Sequence, residues 1–122
     1  ARTYSRAFNG QENIVVPQTV NVCSEICETC DCHVFHQYTL KITNGRRDAL
    51  AEHLNEKEIP HGIYYPVPLH LQKAYQDERY NEADFQVTNQ LVKEVISLPM
   101  HTELDDEQID YITETIIGFV NG

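Results

Sequence analysis

Between Val34 and Thr43 the chain alternates. Val34, His36, Tyr38, Leu40 and Ile42 fall on one face, and Phe35, Gln37, Thr39, Lys41 and Thr43 on the other. Period two among good β-formers predicts a strand whose even-numbered face is buried, ended by the turn pair Asn44-Gly45. Ahead of it, TYSRAF reads as the last turns of a helix broken at Asn9-Gly10. Ile14-Val15-Val16-Pro17 then reads as a short extended run. Beyond the turn the period changes. RRDALAEHLNEKE (46–58) places Leu50 and Leu54 on one helical face, with Asp48 near the start, where the helix dipole favours an acid. Ile59-Pro60 stops that helix. Gly62-Ile63-Tyr64-Tyr65 predicts a second short strand, closed by Pro66 and Pro68, and Leu69 to Tyr75 predicts one or two helical turns. Val87, Leu91, Val92, Val95 and Ile96 form an apolar stripe at helical spacing, so a helix capped by Asp84 is expected to run to Ser97, with Pro99 beyond it. A last helix opens near Asp105-Asp106 and carries Ile109, Ile112, Ile116 and Phe119, with Gly118 and Gly122 weakening its end. This order predicts an α+β fold: a small, mostly antiparallel sheet with helices on one face.

Composition narrows the function classes. At 122 residues the chain holds one domain with a modest core. Nine basic against nineteen acidic residues give a net charge of −10. Arg46-Arg47 is the only basic pair, so neither nucleic acid nor an anionic membrane is an expected partner. No apolar run approaches the ~18–20 residues that span a bilayer. The opening ARTYSRAFNGQE is polar and lacks the apolar stretch of a secretory signal, which points to the cytoplasm. It also starts mid-helix without a cap residue, and the only methionine is Met100. A C-terminal piece of a longer polypeptide is therefore expected, with residues 1–10 ending a helix from the preceding domain and 11–122 forming a small domain.

Two stretches carry candidate chemistry. The first, CSEICETCDCHVFH, holds Cys23, Cys27, Cys30 and Cys32, with His33 and His36 behind. Six soft or borderline ligands suit zinc, yet all lie in one short run instead of two separated pairs. Cys32 and His33 are adjacent, and His36 belongs to the predicted buried face as a core histidine. A metal site, a disulfide and reduced thiols in a surface loop all remain open. Reduced thiols are the default without a secretory signal.

The second stretch is HGIYYPVPLHLQKAY, residues 61–75. Gly62 permits close backbone approach or an unusual dihedral, and Pro66 and Pro68 stiffen the chain. Two adjacent tyrosines and His70 suit a polar ligand with a ring face, such as a sugar. Equally, this is a proline-rich connection whose tyrosines fill the core.

This segment resembles the G-I-x-Y-P-x-P-L-H-x-Q-x-A-Y signature of the DegT/DnrJ/EryC1/StrS family, the pyridoxal-phosphate (PLP) sugar aminotransferases. HVFHQYTLKI followed by RRDALAEHLNEKEI resembles the strand and helix before that signature. EVISLPMHTELDDEQIDYI resembles the family's late S-L-P-M-H-P run, with Thr102 in place of its proline. The resemblance runs from about Thr3 to Phe119, and only the cysteine stretch has no counterpart in it. It implies the small C-terminal domain of a fold-type I PLP enzyme. The Schiff-base lysine, the pyridine-pairing aspartate and most phosphate ligands belong to the large domain, so no catalytic or cofactor-binding residue is expected here. It implies Tyr65 at the family's tyrosine of H-Y-P, Tyr64 where many members have histidine, and His70 as substrate-side residues. The implied whole protein is a cytoplasmic homodimer that takes an amino group from glutamate to a nucleotide-linked keto-sugar for polysaccharide or antibiotic-sugar synthesis. This chain alone is expected to be inactive. Two rivals stand beside this: a free-standing metal- or ligand-binding module built on residues 23–36, with Cys23, Cys27, Cys30 and Cys32 as ligands, and a sugar-dehydratase relative, in which a histidine replaces the Schiff-base lysine.

Overall fold

The computed structural model describes residues 1–18 and 33–122. The four cysteines lie outside the described residues, as do the metal, disulfide and free-thiol readings attached to them.

Among the described residues four α-helices pack with a three-stranded antiparallel sheet. In chain order these are α1 (Arg2–Phe8), β1 (Ile14–Val15), β2 (Tyr38–Ile42), α2 (Arg47–Glu56), α3 (Gln86–Glu94), β3 (Val95–Leu98) and α4 (Asp106–Asn121). β2 lies in the middle: Ile14 pairs with Ile42, Leu40 with Ile96 and Tyr38 with Leu98. Tyr38, Leu40 and Ile42 are all fully buried, as the alternation requires. Onto this face pack Tyr4 and Phe8 of α1, Leu50, Ala51 and Leu54 of α2, and Ile112, Ile116 and Val120 of α4. The α+β architecture is thus the one expected.

The turns obey local chemistry. Gly10 and Gly45, which follow Asn9 and Asn44, sit at φ of +78° and +75°, where a side chain is disfavoured. α4 opens on a capping box: Asp105 accepts from the Gln108 N–H at 2.8 Å, and the Gln108 side chain accepts from the Asp105 N–H. The Phe119 ring has the Arg46 guanidinium 4.4 Å from its centroid and the His53 ring stacked at 5.0 Å, which fastens α4 to the start and the last turn of α2.

Three expectations need correction. First, the strand begins at Tyr38, not Val34. Val34 is 89% exposed and His36 is exposed too, so His36 is not a core histidine. β3 reaches only to Tyr38, and no described strand pairs with residues before it, so the alternation there has no ladder to join. Second, the helix predicted to run from Asp84 to Ser97 stops at Glu94, and Val95–Leu98 is the third strand. Asp84 is not the helix's cap: it lies within a single 3-10 turn, Glu82–Phe85, ahead of the helix, where its carboxylate accepts from the N–H of the cap residue Asn81. Ile96, Ser97 and Leu98 are all buried, and a strand covered on both faces reads as an unbroken run, easily taken for a helix stripe. Third, Gly62–Tyr65 is not a strand. Only Gly62 pairs, in an antiparallel bridge with Ser97.

Candidate functional site

The chain enters residues 61–75 through a left-handed residue. α2 ends in a Schellman motif: the Ile59 N–H reaches the Leu54 carbonyl at 2.9 Å, and the Glu58 N–H reaches Asn55 at 3.1 Å. Glu58 occupies the left-handed position at φ +56°, where glycine is the usual residue. Ile59 and Leu54 bury together across the motif. Gly62 then exchanges both backbone hydrogen bonds with Ser97, at 2.9 Å each.

From there the Tyr64 ring folds back over Gly62. A Cβ at position 62 would lie 2.7 Å from Tyr64 Cζ, so glycine is needed for close approach, not for an unusual dihedral. Tyr64 is 60% exposed and Tyr65 74%, and neither fills the core. Tyr64 closes one side of an open cleft of about 170 Å³. His36, Gln37, His61 and Ser97 complete its polar lining over Leu98. The Ser97 hydroxyl is engaged with Thr39 Oγ1 at 2.8 Å, and His61 Nδ1 lies 3.1 Å from the Ile59 carbonyl.

Tyr65 and His70 do not line this cleft. His70 belongs to an arm that follows, built from 3-10 turns at Leu69–Leu71, Lys73–Tyr75 and Glu82–Phe85. Its ring stacks on Phe85 at 4.4 Å, and Tyr80 meets Phe85 edge-on at 5.5 Å. The Tyr80 hydroxyl donates to the Tyr75 carbonyl, and the Gln72 amide donates to Val67. His70 Nε2 is buried without a hydrogen-bond partner. The arm presents Val67, Leu69, Leu71 and Tyr75 to solvent, and Val87 of α3 is 73% exposed.

Sequence reasoning missed His61 and Ser97 as lining residues and misplaced His36. The three come from separate segments that only the β2–β3 pairing and the Gly62–Ser97 bridge bring together. No linear spacing signals such a set.

The lining of this cleft does not fit PLP. That cofactor needs a lysine facing it and a phosphate cradle. No lysine lines the cleft, and Lys41 Nζ is paired with Glu94 Oε2 at 3.5 Å. Among the described residues no three His, Cys, Asp or Glu side chains gather as metal donors, and no helix is long and apolar enough to cross a membrane.

Residues 1–117 match the DegT/DnrJ/EryC1/StrS aminotransferase family. The chain belongs to that family. A pleiotropic regulatory protein of Geobacillus stearothermophilus is 42% identical over 71% of this chain and 23% of its own length. UDP-N-acetyl-3-dehydro-alpha-D-glucosamine 3-aminotransferase of Acidithiobacillus ferrooxidans is 38% identical over 74% of this chain and 23% of its own. A Brucella abortus DegT/DnrJ/EryC1/StrS aminotransferase structure superposes with a TM-score of 0.77 at 30% identity, covering 99% of this chain and 29% of that one. The S. venezuelae DesV structure, a ketimine complex, superposes at 0.80 with 25% identity, covering 98% and 29%. The chain therefore spans about a quarter of the length of the relatives it matches.

Proposed function

We propose that this chain is the small C-terminal domain of a PLP-dependent aminotransferase that moves an amino group from glutamate to a nucleotide-linked keto-sugar. The observation that carries the reading is the family match across residues 1–117 in a chain spanning about 23% of relatives such as the A. ferrooxidans sugar aminotransferase. In this reading residues 1–10 end the helix arriving from the large domain. The remainder of the polypeptide holds the cofactor, which supplies the electron sink when bound.

What this chain supplies is the sugar side. Tyr64 and Tyr65 are held out of the core on a segment fixed at Gly62 and at the buried Pro68. A phenol offers both an apolar face to a pyranose ring and a hydroxyl to its substituents. His70, stacked on Phe85, keeps the following arm in shape while its free Nε2 remains for a group brought by the rest of the protein. The exposed apolar residues of the arm fit a surface covered by the large domain or a second subunit in a cytoplasmic homodimer.

The test is the coding sequence ahead of Ala1 and the activity of its product. A lysine at the family's Schiff-base position, with glutamate-dependent amination of a nucleotide keto-sugar, bears the reading out. A histidine there makes the protein a dehydratase relative. A product without turnover moves it toward a regulatory role, as the name of the G. stearothermophilus relative has it. A start codon directly before Ala1 leaves a free-standing domain, and metal or ligand binding by residues 23–36 becomes the leading account.

A further inference from the structure

We propose that the cleft beneath Tyr64 is an anion subsite, in which His36 and His61 contact a phosphate group of the ligand. This deepens the sugar-nucleotide reading and rests on it.

Charge sets the problem. A chain with nineteen acids and a net charge of −10 repels phosphate at long range, so capture needs local donors and a local absence of carboxylates. The cleft meets both conditions. None of its lining residues is Asp or Glu, and its titratable side chains are His36, His61 and Tyr64. None is Lys or Arg either, so capture rests on hydrogen bonds from the two imidazoles, the Gln37 amide and the Tyr64 hydroxyl. The imidazoles come from opposite ends of the motif region, His36 before β2 and His61 after α2, and converge only in the fold.

The ring chemistry of His61 is set by its neighbour. Nδ1 faces the Ile59 carbonyl at 3.1 Å, and a carbonyl only accepts, so Nδ1 carries the hydrogen. In the neutral ring Nε2 is then an acceptor, so contact with a phosphate oxygen takes the doubly protonated ring, in which Nε2–H donates. His36 is exposed, and the Gln37 amide adds a donor beside it. The Ser97 hydroxyl is already engaged with Thr39 and is a wall, not a ligand group. Size restricts the occupant further. At about 170 Å³ the cleft is smaller than the ~300–1,000 Å³ that encloses a whole small-molecule ligand, so it takes one group of the substrate and leaves the rest outside. Tyr64, lying between cleft and solvent, then marks where the sugar leaves the phosphate.

The test uses the 122-residue chain with labelled histidine rings, titrated by NMR with inorganic pyrophosphate, with glucose 1-phosphate and with glucose. The proposal expects saturable movement of the His36 and His61 resonances with both phosphates, none with glucose, and little change at His53 and His101. His36→Gln and His61→Gln, each checked for an unchanged circular-dichroism spectrum, should weaken the pyrophosphate response by about tenfold, the loss typical of a charge-assisted hydrogen bond. Pyrophosphate that moves neither ring, moves all the histidines alike, or binds both variants unchanged overturns the subsite. A response to glucose equal to that with its phosphate overturns it in favour of a neutral sugar pocket. A positive titration alongside an inactive longer protein keeps the subsite and removes the aminotransferase reading; a negative titration alongside an active one does the reverse.

Discussion

Glu58 occupies a position that its residue type does not favour. It sits at φ +56° at the end of α2, with its N–H on Asn55 and the following Ile59 N–H on Leu54. For an L-residue with a Cβ the left-handed conformation costs about 1–2 kcal/mol. Glycine escapes that cost but loses about 0.4–1 kcal/mol through its freer unfolded chain. Removing a carboxylate from the negative end of the helix dipole adds about 0.3 kcal/mol in the same direction. Glu58 is exposed, so no packing is lost. Glu58→Gly is therefore expected to stabilise the domain by about 1 kcal/mol, within limits of about 0.3 and 1.9, raising Tm by roughly 3–6 °C at the central value. Urea unfolding of the 122-residue chain, followed by circular dichroism, reads this as a higher midpoint at unchanged slope. Glu52→Gly, on the exposed side of the same helix, is the control and should lose about 1 kcal/mol. A midpoint that falls in Glu58→Gly, or that moves the same way in both variants, refutes the argument.

Other consequences are as direct. Gly62→Ala forces the Tyr64 ring off its seat, since the new Cβ would stand 2.7 Å from it; the phosphate response of the His36 and His61 resonances should weaken several-fold while the fold, checked by circular dichroism, survives. Leu54→Ala opens a cavity beneath the fully buried α2 face and should cost about 2–5 kcal/mol in urea unfolding, whereas Leu69→Ala, on the exposed arm, should cost under about 0.5 kcal/mol. Burial, with the neighbouring Tyr38 phenol as a smaller cause, pushes the Tyr4 hydroxyl up to about 12 from an ordinary 10. Its folded pKa is raised, so its contribution is intact below pH 10 and is lost as pH climbs from 10 toward 12. Stability should fall across that window, and Tyr4→Phe should flatten the fall while losing the hydrogen bond to the Pro99 carbonyl at neutral pH.

Much of the frame could be read along the chain because local rules and tertiary packing agree there. Leu50 and Leu54, the Asn-Gly turns, the Asp105 cap and the Tyr38–Leu40–Ile42 face are each decided by neighbours within a few residues. Two failures were of one kind. Val95–Leu98 and Val34–Gln37 carry patterns whose meaning depends on whether a strand lies alongside. β2 and Gly62 flank the first, and no described strand flanks the second. The site was half visible. Tyr64, Tyr65 and Gly62 stood out as a motif, and the steric reason for Gly62 could then be read from the Tyr64 ring. His36, His61 and Ser97 meet only through strand pairing, so no spacing rule finds them.

The central claim is that this domain presents the sugar-facing side of an aminotransferase through Tyr64. Steady-state kinetics of the longer protein, with glutamate and a nucleotide-linked keto-sugar, test it by comparing the unaltered enzyme with Tyr64→Ala. The account predicts turnover in both, a KM for the keto-sugar raised about tenfold by the substitution, as loss of one hydrogen bond and a ring contact implies, and an unchanged KM for glutamate. An unaltered keto-sugar KM, or no amination by the unaltered protein, would contradict it.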